Sequence, residues 1–223
     1  MSTVSRMVLY LEENSKRVLV YALVGGVLLA AGIGTGNYLR RRSRQASSLL
    51  GAALTQYRNA DQDSFSAGGP GSGGFSSALD RFQEIINHHP RSGSARIASF
   101  YSGLCMVRLG RRDEAYELFE RFLDRNPGAY HASQARLALA RLAEERGERD
   151  RALELYREVA DQDSPGLTQP EGLLELGRYL ELIGQPEQAV RIYDRIQKEF
   201  PGTEFFSLAL QRSSNLGEET TIQ

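Results

Sequence analysis

The segments GLCMVRLGRRDEAYELFERFLDRNP (103–127), ARLAEERGERDRALELYREVADQDS (140–164) and GRYLELIGQPEQAVRIYDRIQKEFP (177–201) are one pattern written three times, each copy 37 residues after the last. Repetition at a fixed period of roughly 20–50 residues decides the architecture before any single element does, because each copy is one supersecondary unit that buries its apolar face only against its neighbours. The alanines Ala115, Ala152 and Ala189 recur, with Ala78 one period upstream. Four residues after each comes an aromatic ring (Phe82, Phe119, Tyr156, Tyr193), and three further on an apolar residue (Ile85, Phe122, Val159, Ile196). That spacing marks one face of a helix. Five residues before each alanine stands a glycine (Gly73, Gly110, Gly147, Gly184), suited to a turn that needs a left-handed backbone. Pro90, Pro127 and Pro201 close their copies, and Ser164-Pro165 closes the remaining one. Upstream of the glycine, the small residues Gly103, Ala140 and Gly177 let the second helix approach the first closely. Each copy therefore reads as helix, turn, helix, proline stop.

This order of small residue, glycine, alanine, aromatic, apolar residue and proline resembles the tetratricopeptide repeat, lengthened here from about 34 residues to 37. Full copies cover 93–201, with Ser99, Arg136 and Leu173 where the motif usually has tryptophan. Upstream, LLGAALTQYRNA (49–60) supplies a first helix and Ser76–His88 a second, separated by a flexible loop placed at 62–75 around AGGPGSGG (67–74). Glu204–Ser213 reads as a cap over the last apolar face. The resemblance implies an all-α solenoid of about four helical hairpins plus a cap over 44–213, with 214–223 as a tail.

Ahead of the array, VLVYALVGGVLLAAGIGTGNYL (18–39) carries no charge over 22 residues, flanked by Lys16-Arg17 and by Arg40, Arg41, Arg42 and Arg44. A helix of that length spans about 30 Å of hydrocarbon. The run exceeds a signal-peptide core, and no small-x-small cleavage site follows it, so it reads as a retained transmembrane helix behind a tail at 1–17. Gly32 and Gly36 form a GxxxG pair. Two readings of it stand side by side: a face for helix association in lipid, or a glycine-rich span and nothing more.

Composition narrows the function. The chain has 27 basic and 28 acidic residues; seven of the basic and two of the acidic residues fall within the first 44, leaving 20 against 26 over 45–223. That acidic remainder speaks against nucleic acid as a partner. A single cysteine, Cys105, excludes an intramolecular disulfide and a multi-cysteine zinc site. The pairs Asp61/Asp63 and Asp161/Asp163 sit beside loops, and the stretch at 68–74 lacks the Lys-Ser/Thr of a phosphate loop. No catalytic, cofactor or metal site is expected, and the protein reads as a non-enzyme.

The first helices of such an array line its concave side. By period, Ile97, Phe100, Leu104 and Val107 offer an apolar strip there, and Leu137, Arg141, Leu174 and Arg178 continue it in the next two copies. These are the candidate partner-binding residues for an extended or helical peptide. The reading favoured over docking makes Phe100, Leu137 and Leu174 core, and Arg141–Glu144 and Arg178–Glu181 ordinary i,i+3 surface pairs. The Lys/Asn clamp by which some tetratricopeptide proteins hold a C-terminal carboxylate is missing at these positions.

A short tail with Glu12-Glu13-Asn14-Ser15-Lys16-Arg17, a glycine-rich span, a helix with Gly51-Ala52-Ala53 and then the repeats together resemble the YfgM-type ancillary subunits of the bacterial Sec translocon. The resemblance implies a single-pass inner-membrane protein with a periplasmic array. It also implies the SecYEG translocon and a membrane-anchored prolyl-isomerase-like chaperone as partners, and a role in handling translocated proteins. Basic residues near the span favour, by a narrow count, the opposite orientation; the layout of the whole chain is taken as the stronger sign. The alternative is a scaffold that organises another envelope complex by self-association into homo-oligomers.

Overall fold

The computed structural model describes Gly26 and residues 41–64, 72–161 and 168–221. The expected tail at 1–17, the span at 18–39 and its Gly32–Gly36 pair lie outside the described residues, apart from helical Gly26. No helix among the described residues is long and apolar enough to cross a membrane.

The chain divides into two compact units, Met1–Leu49 and Leu50–Gln223. In the first, residues 41–49 are helical. The second is helical throughout its regular elements: α1 (50–64), α2 (Ser72–His88), α3 (Gly93–Arg108), α4 (Arg112–Arg125), α5 (Ala132–Glu145), α6 (Arg149–Ala160), α7 (Gln169–Leu182), α8 (Pro186–Glu199) and α9 (Glu204–Thr221). Each helix from α2 onward packs on the next, and α9 also touches α7.

The turns explain the period. Gly110, Gly147 and Gly184 adopt φ of +75°, +75° and +76°. In each, the amide after the glycine reaches back five residues: Arg111 N–H to Met106 C=O at 2.8 Å, Glu148 to Ala143 at 2.9 Å, Gln185 to Leu180 at 2.8 Å. The glycine amide itself bonds Val107, Glu144 or Glu181 at 2.9–3.0 Å. This doubled bond ends the first helix of the hairpin and satisfies carbonyls that the helix leaves open. Ser92 starts α3 by accepting the Ala95 amide at 3.0 Å, and prolines occupy the first turns of α7 and α8, where a missing N–H costs nothing.

The periodic residues form the core. Ala78, Ala115, Ala152 and Ala189 are inaccessible to solvent, as are Phe82, Phe119, Tyr156 and Tyr193. Burying each ring contributes about 1.5–3 kcal/mol. A Cβ on Gly103 would come within 2.6 Å of the Phe119 ring, and one on Gly177 within 2.4 Å of the Tyr193 ring. The small residues are therefore required by the ring that sits on them.

Three expectations are corrected. Gly73 is not a turn glycine. It lies inside α2 with ordinary φ, and its neighbour Gly74 lets α2 cross α1, where a Cβ would meet Ala60 Cβ at 2.6 Å. The loop expected at 62–75 is helical at both ends, since helix persists to residue 64 and resumes at Ser72; residues 65–71 lie outside the described residues. The segment 214–223 is not a tail up to Thr221, because α9 continues that far and packs half-buried Leu216 against the core.

Candidate functional site: the face of the first helices

Polar side chains link α1 with α3, α5 with α7, and α7 with α9. Asp61 of α1 pairs with Arg108 of α3. Arg141 of α5 donates to Glu171 at 3.1 Å and Glu175 at 2.9 Å on α7. Arg178 of α7 reaches back to Glu144 of α5, with Nη1 donating to Oε1 at 3.0 Å, and Arg212 of α9 reaches back to Glu181 of α7 at 3.1 Å. Between α3 and the start of α5 the bridge is aromatic: the Phe100 ring lies 4.6 Å from the ring of His131, the residue that precedes α5, and is nearly parallel to it.

Two of these links are the same device one period apart. Tyr156 Oη donates to Glu144 at 3.0 Å, and Tyr193 Oη donates to Glu181. A tyrosine of the second helix thus holds a glutamate of the first, and that glutamate receives an arginine from the next unit. Burial, then the facing carboxylate, raises both phenols well above their ordinary value. Hydrogen bonding to Glu144 first, and to Glu175 next, raises the Arg178 guanidinium. Burial would raise the Glu175 carboxyl, but Arg178 and Arg141 outweigh it and hold it below its ordinary value. In the α3–α4 hairpin the same two positions are Val107 and Phe119, so the device gives way to an apolar contact. Arg141, with no glutamate behind it at position 107, turns forward instead.

The expected i,i+3 pairs Arg141–Glu144 and Arg178–Glu181 are therefore replaced by pairs between units. A spacing of three on one helix was legible in the sequence; the pairs between units, 34 residues apart for Arg178–Glu144 and 31 for Arg212–Glu181, were announced only by the recurrence of Glu and Tyr at one period.

The candidate docking residues separate into two groups. Phe100 and Leu137 are buried, at 3% and 2% exposure, and belong to the core. Ile97, Leu104, Val107 and Leu174 are half-buried, each with one flank on the core. Arg141 is exposed and Arg178 half-buried, both engaged in the pairs above. Tyr101, not singled out from the sequence, joins the strip on α3; it packs edge-on to Tyr57 of α1 at 5.3 Å. The Tyr57 phenol is pushed up to about 12 by burial and then by Asp61.

Three of the groups singled out from the sequence are committed to structure, and Asp163 lies outside the described residues. Asp61 and Asp161 pair with Arg108 and Arg195. Cys105 is buried, and burial pushes its thiol up to about 12, far from a nucleophile's range. Among the described residues no group of three or more His, Cys, Asp or Glu is placed to hold a metal ion.

A profile described as tetratricopeptide repeat matches residues 71–130, 103–167 and 137–203. The chain belongs to the tetratricopeptide repeat family. The matched windows end 37 and 36 residues apart, close to the hairpin period, and tetratricopeptide proteins act in protein–protein interaction. Solved structures agree at the level of fold. Tetratricopeptide-like repeats of a putative kinesin light chain from Podosopora anserina superpose with a TM-score of 0.59 at 15% identity, covering 82% of this chain and 89% of that one. PilF of Pseudomonas aeruginosa superposes with a TM-score of 0.53 at 17% identity, covering 79% and 68%. A tetratricopeptide repeat protein from Parabacteroides merdae gives 0.55 at 16% identity, covering 74% and 61%. No curated protein matches the chain by sequence.

Proposed function

We propose that this protein is a single-pass inner-membrane protein whose tetratricopeptide array lies in the periplasm and docks proteins beside the Sec translocon. In this reading it is an ancillary subunit of the YfgM type, working with SecYEG and a membrane-anchored prolyl-isomerase-like chaperone on translocated proteins. The uncharged segment at 18–39 and the likeness of layout support the tether and the setting. The observation that carries the docking role is the strip Ile97–Tyr101–Leu104 on α3, half-buried apolar and aromatic surface beside a face whose charges are already paired. Such a face gains by covering apolar surface and has little free charge to offer, which suits a helical or extended segment with apolar anchors.

Photocrosslinkers at positions 97 and 104 in intact membranes test this. Capture of translocon subunits and the chaperone is expected, and capture of further copies of this chain alone would refute it in favour of a self-assembling scaffold. Protease added to spheroplasts should digest the array; digestion only after lysis would place it on the cytoplasmic side.

A further inference from the structure

A second surface of the array carries an unassigned site. A depression of about 420 Å³ opens where α2 ends, α3 begins and α4 passes beneath. Its rim is Arg91, Arg96, Arg121 and Arg125, all exposed, and its floor includes Ile86, Leu118 and Phe122. No acidic side chain lines it. Arg121 makes one long contact with Glu117, at 3.4 Å. Arg91, Arg96 and Arg125 form no ion pair among the described residues, whereas Arg136, in the matching depression one period on, does. The positive end of α3 opens on the same depression, and its Ala95 amide is already taken by Ser92.

The repeat supplies its own control. One period on, the matching depression holds Pro127, Gly128, Ser133, Arg136 and Glu158. There, position 91 has become Gly128, position 96 Ser133 and position 121 Glu158. Arg136 and Glu158 bond each other at 2.7 Å, so that depression is neutral. The fold thus does not require arginines at these positions. Four guanidinium groups gathered over an apolar floor repel one another, and a ligand that brings carboxylates relieves that repulsion with charge-assisted, often forked hydrogen bonds.

We propose that this arginine-lined depression docks an acidic segment of a protein partner, presenting two or more carboxylates beside an apolar side chain. The apolar floor favours a peptide over a bare anion. A second copy of this chain is a poor occupant: the acidic groove along α6 has Glu154, Glu158 and Asp161 already paired with Arg151, Arg136 and Arg195, which leaves one carboxylate, Asp150, in a groove that also holds Arg157. The inference goes beyond the reading of the first-helix face and stands without it.

The test is fluorescence anisotropy on the full chain in micelles of neutral headgroup, with a labelled peptide of alternating Glu and Leu. Saturable binding is expected, weakened about tenfold or more by Arg91→Glu with Arg125→Glu and unchanged by Arg157→Glu, an exposed arginine of α6. A peptide with Lys for Glu should not bind. Circular dichroism confirms that each variant keeps its helices. No saturable binding of the acidic peptide, equal binding by the double variant, or equal loss in Arg157→Glu overturns the proposal. So does binding only to vesicles containing phosphatidylglycerol, or self-association lost in the double variant without peptide binding. Ile97→Asp strikes the first-helix face and should leave this peptide's affinity unaltered, so the two readings fail separately.

Discussion

Glu144 tests how successive hairpins are joined. The sequence alone pairs it with Arg141 on its own helix; in the structure it accepts two hydrogen bonds from Arg178 of the next hairpin and one from the Tyr156 hydroxyl. Replacing Glu144 by Gln keeps an acceptor for the buried phenol and removes the charge. Replacing Arg178 by Met keeps most of the packed stem. The side chains are 19% and 32% exposed, so solvent screens the pair only in part. Taken as one charge-assisted interaction, the forked pair is worth about 1.5–3 kcal/mol; reducing that by about a third for exposure leaves a coupling of about 1–2 kcal/mol. An i,i+3 pair on a helix surface yields about 0.2–0.5 kcal/mol. Urea unfolding followed at 222 nm, with a slope of about 2 kcal/mol per molar, resolves the difference as a midpoint shift of about 0.5–1 M. The double-mutant cycle of Glu144→Gln with Arg178→Met should therefore show several times the coupling of Glu144→Gln with Arg141→Met. A coupling to Arg141 equal to or larger than that to Arg178 would refute the assignment, and with it the view that charge pairs fasten one hairpin to the next.

Three further outcomes follow from the same geometry. Gly147→Ala, at φ +75°, should cost about 1–2 kcal/mol in unfolding free energy, whereas Gly73→Ala, helical with open space around it, should raise stability by up to about 1 kcal/mol; a loss at both positions would contradict the distinction drawn between them. Because the folded Glu175 carboxyl lies below its unfolded value near pH 4.3, its contribution is complete above that pH and disappears as pH falls through the lower folded value; the stability gap between the protein and Glu175→Gln, measured by thermal melts, should close on acidification below about pH 4 and stay constant from pH 6 to 8. Cys105 should resist a disulfide reagent at pH 8 in the folded protein and react fully in denaturant, and rapid reaction of the native thiol would show that α3 opens more readily than its burial implies.

The helical hairpins and their register were legible without coordinates, since they depend on residues close in sequence. A glycine five before an alanine places a turn, and an aromatic four after it places a core ring, whatever lies beyond the hairpin. The first copy is where this reading failed. Gly73 keeps the spacing but not the role, because α2 begins before it and Gly74 is needed for the approach to Ala60. The length of α9 was hidden for a similar reason: Leu216 has no repeat partner to announce it, only a surface to cover.

What the sequence by itself determined is the array: helical hairpins written by one repeated local pattern, with the turns at Gly110, Gly147 and Gly184 and the buried rings in register. Only the tertiary structure decided which charges meet. A long side chain can reach its own helix or the next unit, and the choice depends on the rotation between stacked hairpins, which no local spacing encodes. Arg178 bonds a residue 34 positions earlier, and Arg91 and Arg125 share a depression although more than thirty residues separate them. Backbone turns are settled within a few residues by steric and hydrogen-bond constraints, whereas side-chain electrostatics is settled by distance in space, and stacking creates that distance.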